Sequence, residues 1–241
     1  MLRKSWIVLG AATLIGVTPV LALTSEEVQK LLASDGAAFA APGDLDETFG
    51  VGGVVRTDVD RIDSPSDLVI QPDGKIVAAG FTTDSIGNRK VLVARYLPNG
   101  ALDADFGAEG IVVPNRNHGL PPRLALQSDG KIVLATRGSP GGSVFVYRFG
   151  ADGTPDSSFG ISGDGTAQVL PPSDMGVSGV TGVGVLADGK VVVALRASPR
   201  AGGAVVAFAR FNSDGTSQGW SASSLTAFGF RSRSRCSLTI G

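Results

Sequence analysis

The sequence predicts an all-β fold, a β-propeller or partial propeller of about three four-stranded blades. A ten-residue block recurs three times, as QPDGKIVAAG (residues 71–80), QSDGKIVLAT (127–136) and LADGKVVVAL (186–195). Glycine accounts for 34 of the 241 residues and proline for 13, which favours many turns over long helices. Runs such as residues 191–195 are apolar at consecutive positions, a pattern typical of sheets covered on both faces.

A secretory signal peptide is predicted over residues 1–22, so we expect the protein to be exported to the periplasm, the medium or the cell surface. The chain begins MLRKSWIVLGAATLIGVTPVLAL, a short basic region followed by an apolar core. An uncleaved membrane anchor is the alternative, although Gly and Pro interrupt the apolar run. Residues 23–42 are predicted to form a short helix, at about 25–32, and a linker.

Residues 43–215 are predicted to hold the blades, because a unit of about 55 residues recurs there. Each unit also has a strand that ends in a glycine turn, VLVARYLPNG, VFVYRFGADG or VAFARFNSDG. A third block, GDLDETFG, GALDADFG or GTPDSSFG, ends in Phe-Gly. We expect the DGK triplet to form the turn of one hairpin per blade, since Gly accepts a positive φ and Asp bonds its own backbone.

These three linked blocks resemble the bacterial delta-60 repeat family. The resemblance covers residues 43–215 and rests on QPDGKIVAAG, VLVARYLPNG and the LDxxFG pattern occurring in that order. It implies an exported protein with a β-propeller-like fold and mostly without an assigned function. It implies no catalytic residues, because the family supplies none to carry over.

Strand counting leaves the two ends of the array unmatched. Residues 54–57 (VVRT) are predicted as a fourth-type strand that stands before the first repeat, whereas the third repeat has no clear fourth strand. Three blades could form an open arc, a strained ring, or half of a six-bladed ring made by two chains, which would be a homodimer through shared blades. They could also be a truncated fragment of a longer propeller.

Residues 216–241 are predicted to be an irregular, disordered tail, because the repeat motifs stop after Gly215. Arg231, Arg233 and Arg235 alternate with Ser in this tail. Cys236 is the only cysteine, so no disulfide can form within one chain and the fold must be held by packing.

Two Arg–Asp pairs recur at one spacing. Arg95 precedes Asp103, and Arg148 precedes Asp156, each by eight positions, whereas in the third repeat Gln218 stands eight after Arg210. In the alternating pattern of a strand, each Arg is in phase with apolar neighbours and is expected to point into packed surface. A buried charge needs a partner, so these pairs are predicted to be structural ion pairs. A ligand-binding ring of Arg is the alternative.

The loops between the second and third strands of the repeats differ most from one another, and such loops on a rigid repeat often carry recognition. They would be basic if they share a face, which favours a protein partner or an acidic glycan. The predicted binding residues are Arg89, Lys90, Arg137, Arg196 and Arg200.

Signatures of catalysis and of metal binding are weak. His118 is the only histidine and a weak candidate for a lone general base, and no GxSxG, HExxH or CxxC motif is present. Loop carboxylates such as Asp103 and Asp105 do not form a DxDxDG calcium loop. No metal site and no cofactor is predicted. The net charge of −1 argues against nucleic acid as a partner.

The sequence therefore favours an exported, non-enzymatic binding or scaffold module whose ligand is unknown. A propeller-type lyase or glycan hydrolase is the alternative, and would need His118 or a close carboxylate pair at its site. The truncated fragment of a longer propeller is the other alternative.

Overall fold

A computed structural model describes residues 6–9, 43–59, 62–114, 116, 121–138, 142–200 and 202–223 of the chain. These residues divide between two compact units, Met1–Arg116 and Asn117–Gly241. The described residues contain strands and turns and no helix. The predicted helix, Cys236 and the three tail arginines lie outside the described residues.

The first unit contains one four-stranded antiparallel sheet and one strand pair. The first sheet has the order β3 (Ile62–Ile70), β4 (Ile76–Thr83), β5 (Arg89–Tyr96), β6 (Ile111–Val112). The pair is β1 (Trp6–Leu9) with β2 (Val54–Thr57). Of the predicted signal peptide, only these four residues of β1 are described.

The second unit contains two four-stranded antiparallel sheets. In the second sheet the neighbours follow chain order: β7 (Arg123–Leu126), β8 (Ile132–Arg137), β9 (Val144–Phe149), β10 (Thr166–Val169). The third sheet is built in the same way from β11 (Met175–Val185), β12 (Val191–Pro199), β13 (Val205–Phe211), β14 (Ser217–Ser223). The prediction of an all-β chain with three four-stranded sheets is therefore confirmed.

Each DGK triplet closes the hairpin between the first two strands of its sheet, as predicted. In the first sheet the Gln71 amide donates to the Lys75 carbonyl at 2.8 Å, and Asp73 accepts from the Lys75 amide at 3.2 Å. Gly74 has a φ of +83°, which a side chain would strain. The same bonds close the other two hairpins.

The third sheet packs face to face on the second. β11 lies against β7 and β8, and β14 approaches β10. The side chains between the sheets form one apolar core. The second sheet contributes Val133, Ala135, Val144, Val146, Phe159 and Ala167 to this core, and the third contributes Val177, Val180, Val191, Val193, Leu195, Ala197, Val205, Ala207, Ala209 and Phe211.

Two sequence expectations for the third repeat are wrong. A fourth strand is present, because β14 pairs with β13 where an irregular tail was predicted from residue 216. The apolar run 191–195 is not covered on both faces, since burial alternates along β12 and only every second side chain is buried. Residues 191–195 carry apolar side chains on both faces of the sheet, but among the described residues only the face with Val191, Val193 and Leu195 is fully buried.

Among the described residues, no helix is long and apolar enough to cross a bilayer.

Candidate functional site

A buried cluster of charge lies at the end of the second sheet. Arg148 Nε is 2.7 Å from Asp156 Oδ2, and the two side chains are 5% and 11% exposed. Lys131 Nζ, from the DGK turn of the same repeat, is 3.1 Å from the same oxygen. One carboxylate therefore joins the hairpin turn to the third strand of its own sheet.

The guanidinium of Arg148 makes three further contacts. Its Nη1 donates to the Ser213 carbonyl of the third sheet's turn at 2.6 Å, and its Nη2 donates to Ser158 Oγ at 3.0 Å. The group lies over the Phe159 ring, 4.4 Å from its centre, in a cation–π contact. The planar guanidinium carries several N–H donors and can make all of these contacts at the same time, whereas a Lys ammonium could not.

The first sheet repeats this cluster. Arg95 Nε is 2.8 Å from Asp103 Oδ2, and Lys75 Nζ is 3.0 Å from the same oxygen. The Arg95 guanidinium lies 4.7 Å from the centre of the Phe106 ring. The structure thus brings both predicted Arg–Asp pairs together and adds a lysine and a phenylalanine to each.

The backbone positions each Asp beside its Arg. The Asp156 amide donates to the Arg148 carbonyl at 2.9 Å, and the Asp103 amide donates to the Arg95 carbonyl at 2.9 Å. The glycine turn after the third strand reverses the chain direction, so the Asp that follows the turn lies beside the Arg near the end of that strand. The two lysines were missed from sequence, although both belong to the repeated DGK turn and so recur with the pair.

The charges around Asp156 fix its protonation state. Burial alone would raise the pKa of Asp156, but hydrogen bonds from Ser158 and Lys131 and the charge of Arg148 outweigh it and lower the pKa. The pKa of Asp103 is also lowered, against the effect of burial, by the equivalent lysine and arginine and by a backbone amide. Both carboxylates are therefore ionised at neutral pH.

The third sheet does not form this cluster. Arg210 occupies the position of Arg148 but is exposed, and no described carboxylate forms an ion pair with it. Gln218, where Asp was expected, lies at a register shift between β13 and β14 and donates to the Asn212 side chain. No described Phe-Gly block follows β13, since β14 begins directly after the turn.

One surface of the third sheet, here called the open face, corresponds to a covered surface of the second. The strand pairing places Val192 opposite Arg210, Ala194 opposite Phe208 and Arg196 opposite Val206. The second sheet pairs its residues in the same register, and its equivalents of these apolar residues are buried against the third sheet. The open face comprises Val192, Ala194, Arg196, Val206, Phe208 and Arg210, all half-buried or exposed.

A pocket of about 320 Å³ lies at one end of the open face. Its lining is mostly apolar, and the exposed Arg196 is its only charged residue. Pockets of this size that combine apolar walls with a few polar groups are typical of ligand sites. The lining residues are Thr181, Leu195, Arg196, Ala204, Val205 and Val206.

The assignment of the predicted binding residues to loops is wrong for four of the five. Arg89 and Lys90 lie in β5, Arg137 ends β8, and Arg196 lies in β12, whereas Arg200 follows β12. Arg196 on β12 and Arg200 in the turn after it are exposed, whereas Arg137, the equivalent of Arg196, is half-buried in the second sheet. On the first sheet Arg89 is exposed and lies 4.8 Å from the centre of the Phe81 ring, and Lys90 is half-buried. In the second unit, Arg196 and Arg200 are therefore the predicted binding residues open to a ligand.

His118, the weak catalytic candidate, lies outside the described residues. Among the residues that are described, no group of three or more His, Cys, Asp or Glu side chains is arranged to hold a metal ion.

Comparison with known families gives one match. Three segments, residues 71–106, 127–159 and 186–217, match a family described as a domain of unknown function (DUF5122), beta-propeller. Each segment begins at or just before a DGK turn and covers the two central strands of one sheet. They support a β-propeller repeat family but do not bear the delta-60 name. No curated protein matches the chain.

Proposed function

We propose that this chain is an exported, non-enzymatic binding module that uses the open face of its third sheet to bind a macromolecule carrying negative charge. The observation that carries the proposal is the difference between equivalent arginines. Arg148 is enclosed in a cluster with Asp156, whereas Arg210 on the open face forms no ion pair with a described carboxylate. Arg196 on the same sheet and Arg200 in the turn after β12 add two further exposed positive charges.

The apolar part of the open face supports the same role. Phe208 is 40% exposed, and the pocket beside Arg196 is lined mainly by apolar atoms. An apolar patch that carries positive charge at its edges is typical of a surface that binds a partner. In the first two sheets, by contrast, the buried charges are paired within each sheet, which indicates a structural role for them.

Retention on immobilised heparin tests the binding role, with heparin serving as a polyanion probe and dextran as a neutral one. We expect protein lacking residues 1–22, applied at high dilution, to be retained at low ionic strength and released as salt rises, because salt screens exposed charges. The double variant Arg196→Gln/Arg210→Gln, which removes both arginines of the open face, should lose this retention. The control Arg56→Gln, which removes an exposed arginine on β2, should keep it. Equal behaviour of the two variants, or no retention at all, would contradict the proposal.

Export is tested separately by the mass of the mature protein recovered outside the cytoplasm. We expect a chain that begins at residue 23, because the predicted cleavage site follows Ala22. Recovery of the full-length chain only, in the cytoplasm, would contradict export.

A further inference from the structure

We infer that the binding partner of the open face is a second copy of this chain, whose residues 43–57 complete the third sheet and place Asp46 against Arg210. The inference rests on the proposed binding role of the open face and names its occupant. Five observations support it.

Residues 43–57 have the structure of the last part of a repeat. The Phe49 amide donates to the Asp46 carbonyl at 3.0 Å, as Phe159 does to Asp156. The Gly50 amide then donates to the Asn99 carbonyl at 2.8 Å, as Gly160 does to a turn of the third sheet. The strand β2 follows, as β10 follows in the second sheet. The segment therefore has the Asp, the Phe-Gly block and the fourth strand of a sheet.

Asp46 lacks the positive charges that its equivalents have. Asp156 is bonded by Lys131 and Arg148, whereas the hydrogen bonds to Asp46 come from the Thr48 amide and hydroxyl. No described Lys or Arg forms an ion pair with Asp46. The third sheet has the opposite deficit, since Arg210 lacks its Asp. Asp44 and Glu47 add negative charge beside Asp46, which complements the arginines of the open face.

The fourth strand of the third sheet is a poor match to its position. β14 has the sequence SQGWSAS, without β-branched residues, and the indole nitrogen of Trp220 is buried without a hydrogen-bond partner. Such a buried donor costs about 1–3 kcal/mol. β2 has the sequence VVRT, which suits a strand better. In the proposed complex β2 of the second copy replaces β14 beside β13.

The edge of β2 becomes free when the signal peptide is removed. β1 pairs with β2 by placing Val8 opposite Val55, at the position where Val146 of β9 faces Ala167 of β10. β1 thus occupies the place that a third strand takes in a complete sheet. Cleavage after residue 22 removes β1 and leaves that place to β13 of another copy.

The first sheet also leaves apolar surface for a second copy to cover. Leu68 and Ile70 on β3 are 48% and 62% exposed. They lie on the same side of their sheet as Val183 and Val185 on β11, which pack against the second sheet. The open face of a second copy would cover Leu68 and Ile70 in the same way. Reciprocal exchange between two copies would complete the third sheet of each.

The test is the molar mass in solution of protein lacking residues 1–22, measured over a range of concentrations. We expect a dimer. Arg210→Glu and Asp46→Arg should each weaken dimerisation by about tenfold or more, because each places two like charges together. The combined variant should restore dimerisation by reversing the pair. The matched control Glu109→Arg, which reverses an exposed carboxylate of the first unit, should leave dimerisation unchanged.

A monomer at every concentration overturns the inference, as does a charge-reversed pair that fails to restore the dimer. A monomer that is still retained on heparin overturns the inference alone and leaves the proposed function standing. A dimer whose dissociated monomer, at high dilution, is not retained on heparin supports the inference and contradicts the anion-binding part of the proposed function.

Discussion

The second and third sheets pair their central strands in the same register, but only in the second are the side chains of both faces buried. Val146 in the second sheet is fully buried, whereas Phe208 at the equivalent position of the third is 40% exposed. Arg148 is buried in a cluster of charge and hydrogen bonds, whereas Arg210 is exposed. The burial of a repeat position therefore depends more on whether another sheet packs against it than on which residue occupies it.

The largest difference is expected when the equivalent arginines are removed. Arg148→Met should lower the free energy of unfolding by about 3–5 kcal/mol, because it leaves the buried Asp156 carboxylate without its main partner. Arg210→Met, at the equivalent exposed position, should change it by less than about 0.5 kcal/mol. Urea unfolding measures both. Similar losses in the two variants would show that burial does not separate the two positions.

The next largest difference is expected for the apolar residues of the same two strands. Val146→Ala should cost about 2 kcal/mol, because it removes buried methyl groups and leaves a cavity between two sheets. Phe208→Ala removes a larger group but should cost less than about 1 kcal/mol in dilute protein, since the ring is partly in water already. Thermal unfolding at low protein concentration compares them. The comparison fails if the Phe208 variant is the less stable of the two.

A smaller effect is expected from pH. The pKa of Asp156 is lower in the folded protein than the value of about 3.9 for an unfolded Asp, so its contribution to stability is complete above that value. The contribution is lost as pH falls, because the unfolded chain then binds the proton more readily. Between pH 7 and pH 3 the wild type should lose about 1 kcal/mol more than Asp156→Asn. Urea unfolding at both values checks this, and equal losses would show that the cluster does not hold the carboxylate ionised.

The smallest effect is expected when the missing carboxylate is added to the third sheet. Gln218→Asp restores the Asp of the repeat pattern, but Arg210 is exposed and β14 shifts register at this point. An exposed ion pair contributes about 0–1 kcal/mol, so a gain of less than about 0.5 kcal/mol is expected. A gain of several kcal/mol would mean that the side chain alone, and not the covering sheet, creates the cluster.

The internal pattern of the repeats could be predicted from the sequence. The DGK hairpins follow from local turn chemistry, and the buried setting of Arg95 and Arg148 follows from their phase with apolar neighbours. The strand β14 could not be predicted, because SQGWSAS has low strand propensity. It forms a strand because the edge of β13 offers unpaired backbone groups, and because Trp220 packs against the core between the sheets.

The open face and its pocket could not be predicted either. Residues 191–195 are as apolar as residues 76–79, so the run does not show whether a neighbouring sheet covers it. The sequence placed Arg196 in a loop, whereas the structure places it in β12 beside the pocket. An arginine at this repeat position need not be exposed, because Arg137, the equivalent of Arg196 in the second sheet, is half-buried.

The charge clusters have a consequence for the order in which the chain folds. Lys75, Arg95 and Asp103 all come from one stretch of the first repeat, and Lys131, Arg148 and Asp156 from one stretch of the second. Contacts between residues that are close along the chain form quickly, because little loop entropy is lost. Each Lys–Arg–Asp cluster can therefore close early in folding, before the contacts between repeats are made.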